Sequence, residues 1–141
     1  MTRLYLISPR RIEHPSIFAA DLRAALAGGD VAAFQLRLKD VPDEAIANVA
    51  DTLRPICQQR GVAFILNDRP DLAVKLDCDG VHVGQEDMSC AEARRIVGPD
   101  RQVGVTASSV PAPSPGSARV TVDFRFRVNT KGPARRLVAS A

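Results

Sequence analysis

Short apolar runs of β type alternate with longer segments of helical periodicity over the first three quarters of the chain. Five runs have the length and composition of buried strands, at residues 4–8, 32–36, 63–66, 80–83 and 103–106. Four segments between them carry apolar residues at helical spacing, at residues 15–29, 43–61, 70–76 and 90–97. This order predicts βαβ units, in which helices cover a parallel sheet.

Five strands and four helices fit two α/β architectures. One is a small open parallel sheet with helices on its faces. The other is a partial (β/α)8 TIM barrel, because five strands are a little over half of the eight that such a barrel needs. The pattern of apolar positions alone leaves both architectures open.

The pattern changes after Thr106. Residues 107–117 are rich in proline and serine, which is typical of a linker. Residues 119–128 then alternate strictly between apolar and polar side chains, and this predicts one half-exposed strand. We therefore divide the chain into an α/β domain at residues 1–107 and a linker with an irregular basic tail at residues 108–141.

Charge is distributed unevenly between these two parts. Residues 1–106 hold 13 Lys/Arg and 15 Asp/Glu, a net charge of −2, whereas residues 107–141 hold six and one, a net charge of +5. A basic arm of this kind can bind nucleic acid. The tail has only two aromatic residues, both Phe, and no recognisable binding motif, so we do not expect a nucleic-acid partner.

The lengths of the apolar segments also indicate where in the cell the protein is located. None approaches the roughly 20 apolar residues that cross a bilayer. The first apolar run is too short for a secretory signal. We expect a cytoplasmic protein without a membrane partner.

The thiols and one histidine have structural interpretations. Cys57, Cys78 and Cys90 are an odd number without CxxC spacing, so we expect buried or tolerated thiols rather than disulfides or a zinc site. His82 lies inside the fourth predicted strand. We expect a packed, hydrogen-bonded side chain there rather than a general base.

The second strand ends in polar side chains, at the sheet edge where parallel α/β proteins place their chemistry. Gln35, Arg37 and Lys39 alternate with leucines, so one amide and two cations share a side. Arginine holds phosphate through a planar fork, and lysine acts as a mobile point charge. This predicts an anion site. The alternative is a solvated strand end with a surface ion pair to Asp40.

The next three strands also end in polar side chains. Asn67 and Asp68 follow the third strand, Asp87 follows the fourth, and Thr106 ends the fifth. Carboxylates from adjacent strand ends can hold Mg²⁺ and leave its other positions to water and phosphate. Each junction alone could be a turn or a helix cap. Together the four junctions predict a magnesium pyrophosphate site.

The sequence resembles the thiamine phosphate synthase family in the segments LYLIS, FQLRLKD, ILNDRPDLAVKLDCDGVHVGQEDM and VGVTA. The resemblance covers residues 1 to about 107. It implies a (β/α)8 barrel and a transferase of thiamine biosynthesis. Such an enzyme joins hydroxymethylpyrimidine diphosphate to thiazole phosphate, releasing pyrophosphate and giving thiamine phosphate.

The resemblance also implies roles for the junction residues. The residues that would bind the pyrimidine diphosphate are Gln35, Arg37, Lys39, Asn67 and Thr106. Asp68 and Asp87 would hold Mg²⁺. In this family the diphosphate departs to leave a pyrimidine carbocation that the thiazole nitrogen captures, while metal and cations stabilise the leaving charge. Leu38 stands where the family usually has an acidic residue.

After Thr106 this sequence departs from the family, which continues with three strands, a PTxTK motif and glycine-rich phosphate loops. The change to a Pro/Arg-rich tail leads us to hypothesise a truncated or frame-shifted synthase with low activity or none. An exposed sheet edge then predicts self-association. The alternative function is a non-catalytic or regulatory module that binds a phosphorylated ligand, similar to a related thiazole tautomerase.

Overall fold

The computed structural model describes residues 3–84 and 88–107, together with residues 123–124, 126–128 and 135–137; side chains are described as far as residue 105. Strands and helices alternate along the first 107 residues. Their bounds are β1 Leu4–Ile7, α1 Pro15–Ala27, β2 Val31–Leu36, α2 Asp43–Gln58, β3 Ala63–Asn67, α3 Pro70–Lys75, β4 Gly80–Val83, α4 Cys90–Val97 and β5 Gln102–Ala107. The predicted α/β class, with five strands and four helices, is confirmed.

The five strands form a parallel sheet in sequence order. Phe34 lies opposite Phe64, and Leu66 lies opposite Val81. Val83 at the end of β4 lies opposite Val105 in β5. Because all five strands run in one direction, their carboxyl ends meet at a single edge of the sheet.

Three short strands follow β5. They are β6 Asp123–Phe124, β7 Phe126–Val128 and β8 Arg135–Leu137. β6 pairs in antiparallel orientation with the last two residues of β5, and β7 pairs with β8. The first two fall inside the strand predicted at residues 119–128, whose other residues lie outside the described part of the chain.

Both faces of the sheet are apolar, but only one is covered by the helices. The helix side holds the main core, in which the rings of Phe34 and Phe64 lie 5.9 Å apart. Burying such a side chain contributes about 1.5–3 kcal/mol. The opposite face carries a smaller cluster of Ala33, Ala63 and Ile65, with Tyr5 packed against it. Burial on both faces explains why the strands contain nearly continuous apolar runs.

The helix boundaries follow from local chemistry. Ser89 caps α4: its hydroxyl accepts the backbone N–H of Glu92, whose carboxylate accepts the N–H of Ser89, as expected of a capping box. α2 has Asp43 and Glu44 in its first turn, where they stabilise the helix dipole. No helix in the described part of the chain is long and apolar enough to span a membrane.

The cysteines are free, and two of the three are buried. Burial raises the pKa of the Cys57 and Cys78 thiols to about 12. Both therefore remain protonated and unreactive at neutral pH. Cys90 is exposed at the first residue of α4. The prediction of buried or tolerated thiols is confirmed.

Candidate functional site

The polar side chains predicted to form a site lie at the carboxyl edge of the sheet. Strand pairing aligns Leu36 with Leu66, and Asn67 with His82, so the segments that follow β2 and β3 leave the sheet side by side. Five of the seven predicted site residues lie in the ends of these two strands or in the segments that follow them: Gln35, Arg37, Lys39, Asn67 and Asp68. Thr106 lies in β5 at the same edge, but its side chain is not described. Asp87 lies outside the described residues.

Gln35 lies on the sheet face opposite the helices, and it is almost completely buried. Its side-chain Nε2 donates a hydrogen bond of 2.9 Å to the hydroxyl of Tyr5 on the adjacent strand. Burial raises the pKa of Tyr5, so the phenol stays neutral. The amide of Gln35 is therefore held in one orientation. Tyr5 was not among the predicted site residues, although the alternation in β1 places it on this face.

Arg37 and Lys39 lie just beyond the end of β2. The guanidinium of Arg37 is exposed, whereas the ammonium of Lys39 forms a part-buried ion pair with the carboxylate of Asp68. Asp40 pairs instead with Arg10, at 3.2 Å. The alternative prediction, a surface ion pair between this strand end and Asp40, is therefore wrong.

Asp68 occupies a left-handed backbone conformation, with φ of 65°. Aspartate tolerates this conformation better than most residues. Its backbone N–H donates to the carbonyl of His82 at 2.7 Å, which ties the turn after β3 to β4. The contacts to β4 and to Lys39 fix this carboxylate at the strand edge.

Arg69 connects the turn after β3 to the first residue of α2. Its guanidinium donates to both carboxylate oxygens of Asp43, at 2.5 and 2.9 Å, and to both oxygens of Asp71, at 3.0 and 2.8 Å. These hydrogen bonds hold the pKa of Asp43 and Asp71 below the usual range. The prediction assigned no role to Arg69, because a contact between residues 26 positions apart leaves no periodic signal in a sequence.

His82 is buried next to this site. Burial lowers the pKa of its imidazole, Asp68 acts in the opposite direction, and Arg37 lowers the pKa further. The side chain is therefore neutral at pH 7. Burial and a lowered pKa agree with the predicted packed histidine.

The donor set at this edge suits Mg²⁺ bound together with a phosphorylated ligand. No group of three or more His, Cys, Asp or Glu residues comes together within residues 3–84 and 88–107. Mg²⁺ does not need such a cage, because it commonly takes one or two carboxylates and completes its shell with water and phosphate oxygens. The carboxylate of Asp68, at the end of β3, can supply one such ligand.

Five parallel strands joined by helices, with a polar site at the carboxyl edge, define an α/β protein, and the pairing of the five strands in sequence order is that of a partial (β/α)8 barrel. A family model described as thiamine monophosphate synthase matches residues 4–112. This match covers more than half of the chain. The chain belongs to the thiamine monophosphate synthase family.

Individual relatives agree with the family match. The chain is 54% identical over 136 residues to a thiamine-phosphate synthase of Rhodospirillum centenum, covering 93% of this chain and 65% of that protein. It is 41% identical over 107 residues to a thiamine-phosphate synthase of Desulfitobacterium hafniense, covering 76% and 51%. A solved thiamine phosphate pyrophosphorylase from Pyrococcus furiosus is 34% identical with a TM-score of 0.65, covering 76% and 50%. The chain thus spans about half to two thirds of the length of these relatives.

The similarity to the family does not end at the same residue in every alignment. The family match stops at residue 112, close to the predicted limit of about 107. The alignment with the Rhodospirillum centenum protein covers 93% of the chain and therefore extends past residue 107 into the basic tail. The predicted domain boundary and the origin of the tail stay predictions.

Proposed function

We propose that this chain binds hydroxymethylpyrimidine diphosphate with Mg²⁺ at the carboxyl edge of the sheet and serves the synthesis of thiamine phosphate. The reaction joins the pyrimidine to thiazole phosphate and releases pyrophosphate. One observation carries the proposal: an exposed arginine, a lysine–aspartate ion pair and two amides lie together at the ends of β2 and β3. This is the combination that a metal-bound diphosphate requires.

The two cations of β2 serve the diphosphate. Arg37 is exposed, so its planar guanidinium can take two phosphate oxygens at once. Lys39 neutralises Asp68 in the chain without ligand. Its long flexible stem would allow the ammonium to contact a phosphate oxygen, which would free the carboxylate of Asp68 to hold Mg²⁺. Both cations then stabilise the charge that develops on the leaving pyrophosphate.

Asp68 and Asp87 are the proposed metal ligands. When bound, Mg²⁺ neutralises charge on the diphosphate and so makes it a better leaving group. The contacts of the Asp68 turn to β4, and those of Arg69 to α2, hold the backbone that carries the Asp68 carboxylate before ligand arrives. This preorganisation lowers the cost of assembling the site.

The amides and the hydroxyl serve the pyrimidine diphosphate. Gln35 is held by Tyr5, which fixes the direction in which its side-chain carbonyl oxygen accepts a hydrogen bond, on the sheet face opposite the helices. Asn67, the last residue of β3, adds a second amide at the same edge. We assign the hydroxyl of Thr106 to the same substrate.

The test compares two aspartates of the same backbone type. Asp68 and Asp77 both have positive φ and both pair with a cation, but Asp77 precedes β4 and lies at the opposite edge of the sheet. Asp68→Asn should weaken Mg²⁺-dependent binding of hydroxymethylpyrimidine diphosphate about tenfold or more, because a charged contact is lost. Asp77→Asn should bind like the wild type. Isothermal titration calorimetry with and without EDTA measures both.

Absence of Mg²⁺-dependent binding by the wild-type chain, or equal losses in the two variants, would overturn this proposal. Turnover is then measured separately, as formation of thiamine phosphate from both substrates. Turnover identifies a synthase. Tight Mg²⁺-dependent binding without turnover identifies the alternative, a non-catalytic module for a phosphorylated ligand.

We also propose self-association through β1. This strand lies at the end of the parallel sheet, with β2 as its neighbour in the described strand order. Leu4 and Ile7 are each 50% exposed, and Ile17 on the following helix is 63% exposed. An unpaired edge flanked by apolar side chains is a recognised surface for association with another chain.

A further inference from the structure

The segment that leaves β1 holds the end of β2 by three hydrogen bonds. The backbone N–H of Ser8 donates to the carbonyl of Gln35 at 2.9 Å. The N–H of Arg37 donates to the hydroxyl of Ser8 at 2.9 Å, and the N–H of Lys39 donates to the carbonyl of Arg10 at 3.0 Å. Each of the three predicted anion-site residues of β2 is therefore fixed through its main chain by residues 8–10.

The middle bond of the three is unusual because a side chain takes the place of a backbone carbonyl. In a parallel ladder, a residue that donates to Gln35 would accept the N–H of Arg37 at its own carbonyl. Here the hydroxyl of Ser8 accepts that N–H and itself donates to the carbonyl of Pro9 at 3.0 Å. Pro9 has no N–H and cannot continue the ladder. The hydroxyl thus extends the pairing at the point where β1 leaves the sheet.

The Ser8 hydroxyl lies in a protected position. The residue is only 6% exposed, so few other partners are available to it. Removing the hydroxyl would leave the N–H of Arg37 without this acceptor, and Arg37 is an exposed residue. The backbone direction at Arg37 decides where its guanidinium can reach.

We propose that Ser8 is a positioning residue: it holds Arg37 at the angle needed to grip a diphosphate and does not touch the ligand itself. This inference rests on the proposed function of the edge as a magnesium diphosphate site. It predicts that Ser8 acts on binding only through Arg37. A residue that merely stabilised the fold would act regardless of what stands at position 37.

A double-mutant cycle tests this, with inorganic pyrophosphate and Mg²⁺ as the probe. Ser8→Ala should weaken binding about two- to tenfold in the wild-type background, the usual effect of one hydrogen bond. In an Arg37→Gln background, Ser8→Ala should have no further effect. Thr52→Ala, which removes a hydroxyl bonded only within α2, should bind normally, and Ser8→Thr should restore most of the affinity.

Hydrogen exchange adds a measurement that needs no ligand. The amide of Arg37 should exchange faster in Ser8→Ala than in the wild type, while amides in the centre of β3 keep their protection. Equal losses of affinity with and without Arg37, or unchanged exchange at Arg37, would overturn the inference while leaving the proposed function intact. A wild-type chain that does not bind magnesium pyrophosphate would overturn the inference, and the proposed function is judged by its own titration with hydroxymethylpyrimidine diphosphate.

Discussion

The buried His82 side chain predicts that the stability of this fold depends on pH. His82 is 6% exposed, and burial lowers its pKa below the ordinary value of 6.5. The unfolded chain therefore takes up a proton at a higher pH than the folded chain, so the free energy of unfolding falls as pH drops below about 6.5. We expect the Tm of the wild type to fall more steeply between pH 7.5 and 5.5 than that of His82→Gln, as measured by thermal unfolding.

The carboxylates with shifted pKa values act in a different pH range. Hydrogen bonds from Arg69 lower the pKa of Asp43 and Asp71, and contacts with Ser89 lower that of Glu92. These groups begin to lose their stabilising contribution only near and below about pH 4. Parallel pH curves for the wild type and His82→Gln between pH 7.5 and 5.5 would show that His82 does not act in this way.

Residue-scale contacts also explain which site residues the sequence could reveal. Gln35, Arg37 and Lys39 are evident because they alternate on one strand. Ser8 accepts a hydrogen bond from Arg37, 29 positions away. Arg69, in the turn next to the site, donates to Asp43, 26 positions away. Such contacts depend on how two loops meet, and no local pattern encodes that.

At the scale of elements, one glycine permits the close pairing of two strands. A Cβ at Gly80 would lie 2.6 Å from the carbonyl oxygen of Gln102 and 2.7 Å from its Cβ. Gly80 and Gln102 are partners in the β4–β5 ladder, so neither backbone can move without breaking it. We expect Gly80→Ala to lower the free energy of unfolding by about 1–3 kcal/mol in urea titrations, as overpacking does.

Gly28 is the matched control for this substitution. It follows α1 with φ of −82°, and a Cβ there would meet only carbonyl oxygens of Ala24 and Ala25 at 3.6 Å. Gly28→Ala should be neutral or stabilise by up to about 1 kcal/mol. Equal destabilisation by the two substitutions would show that space at Gly80 is not the cause.

At the scale of the whole molecule, the exposed edge of β1 predicts a concentration-dependent assembly. We expect the wild-type chain to form dimers or larger species in sedimentation velocity runs. A Leu4→Lys/Ile7→Lys double variant should shift the distribution to monomer, because charges on an edge strand oppose pairing. This prediction concerns the β1 edge of the sheet, so it is tested without any ligand.

The control removes the same number of exposed apolar side chains elsewhere. Val74 on α3 is 38% exposed and Ile96 on α4 is 45% exposed. The Val74→Lys/Ile96→Lys variant should assemble like the wild type. A monomeric wild type at high concentration, or equal dissociation of both variants, would exclude association through β1.

The sequence alone determined the order and type of the elements. Apolar runs of strand length and apolar positions at helical spacing are local signals, and they predicted all five parallel strands and four helices. Polar residues at the strand ends, together with the family resemblance, pointed to the edge where the candidate site lies. The strand and helix patterns can be read from the sequence because buried positions repeat along each element with a fixed period.

Only the tertiary structure decided how the site is held together. In the structure, Lys39 pairs with Asp68 rather than with Asp40. The side chain of Gln35 donates to the Tyr5 hydroxyl, and the backbone N–H of Arg37 donates to the Ser8 hydroxyl. Each of these contacts joins residues about 30 positions apart, and each depends on strand register and on the exact path of two loops. Register and loop path follow from the packing of the whole sheet, so no single segment of sequence contains them.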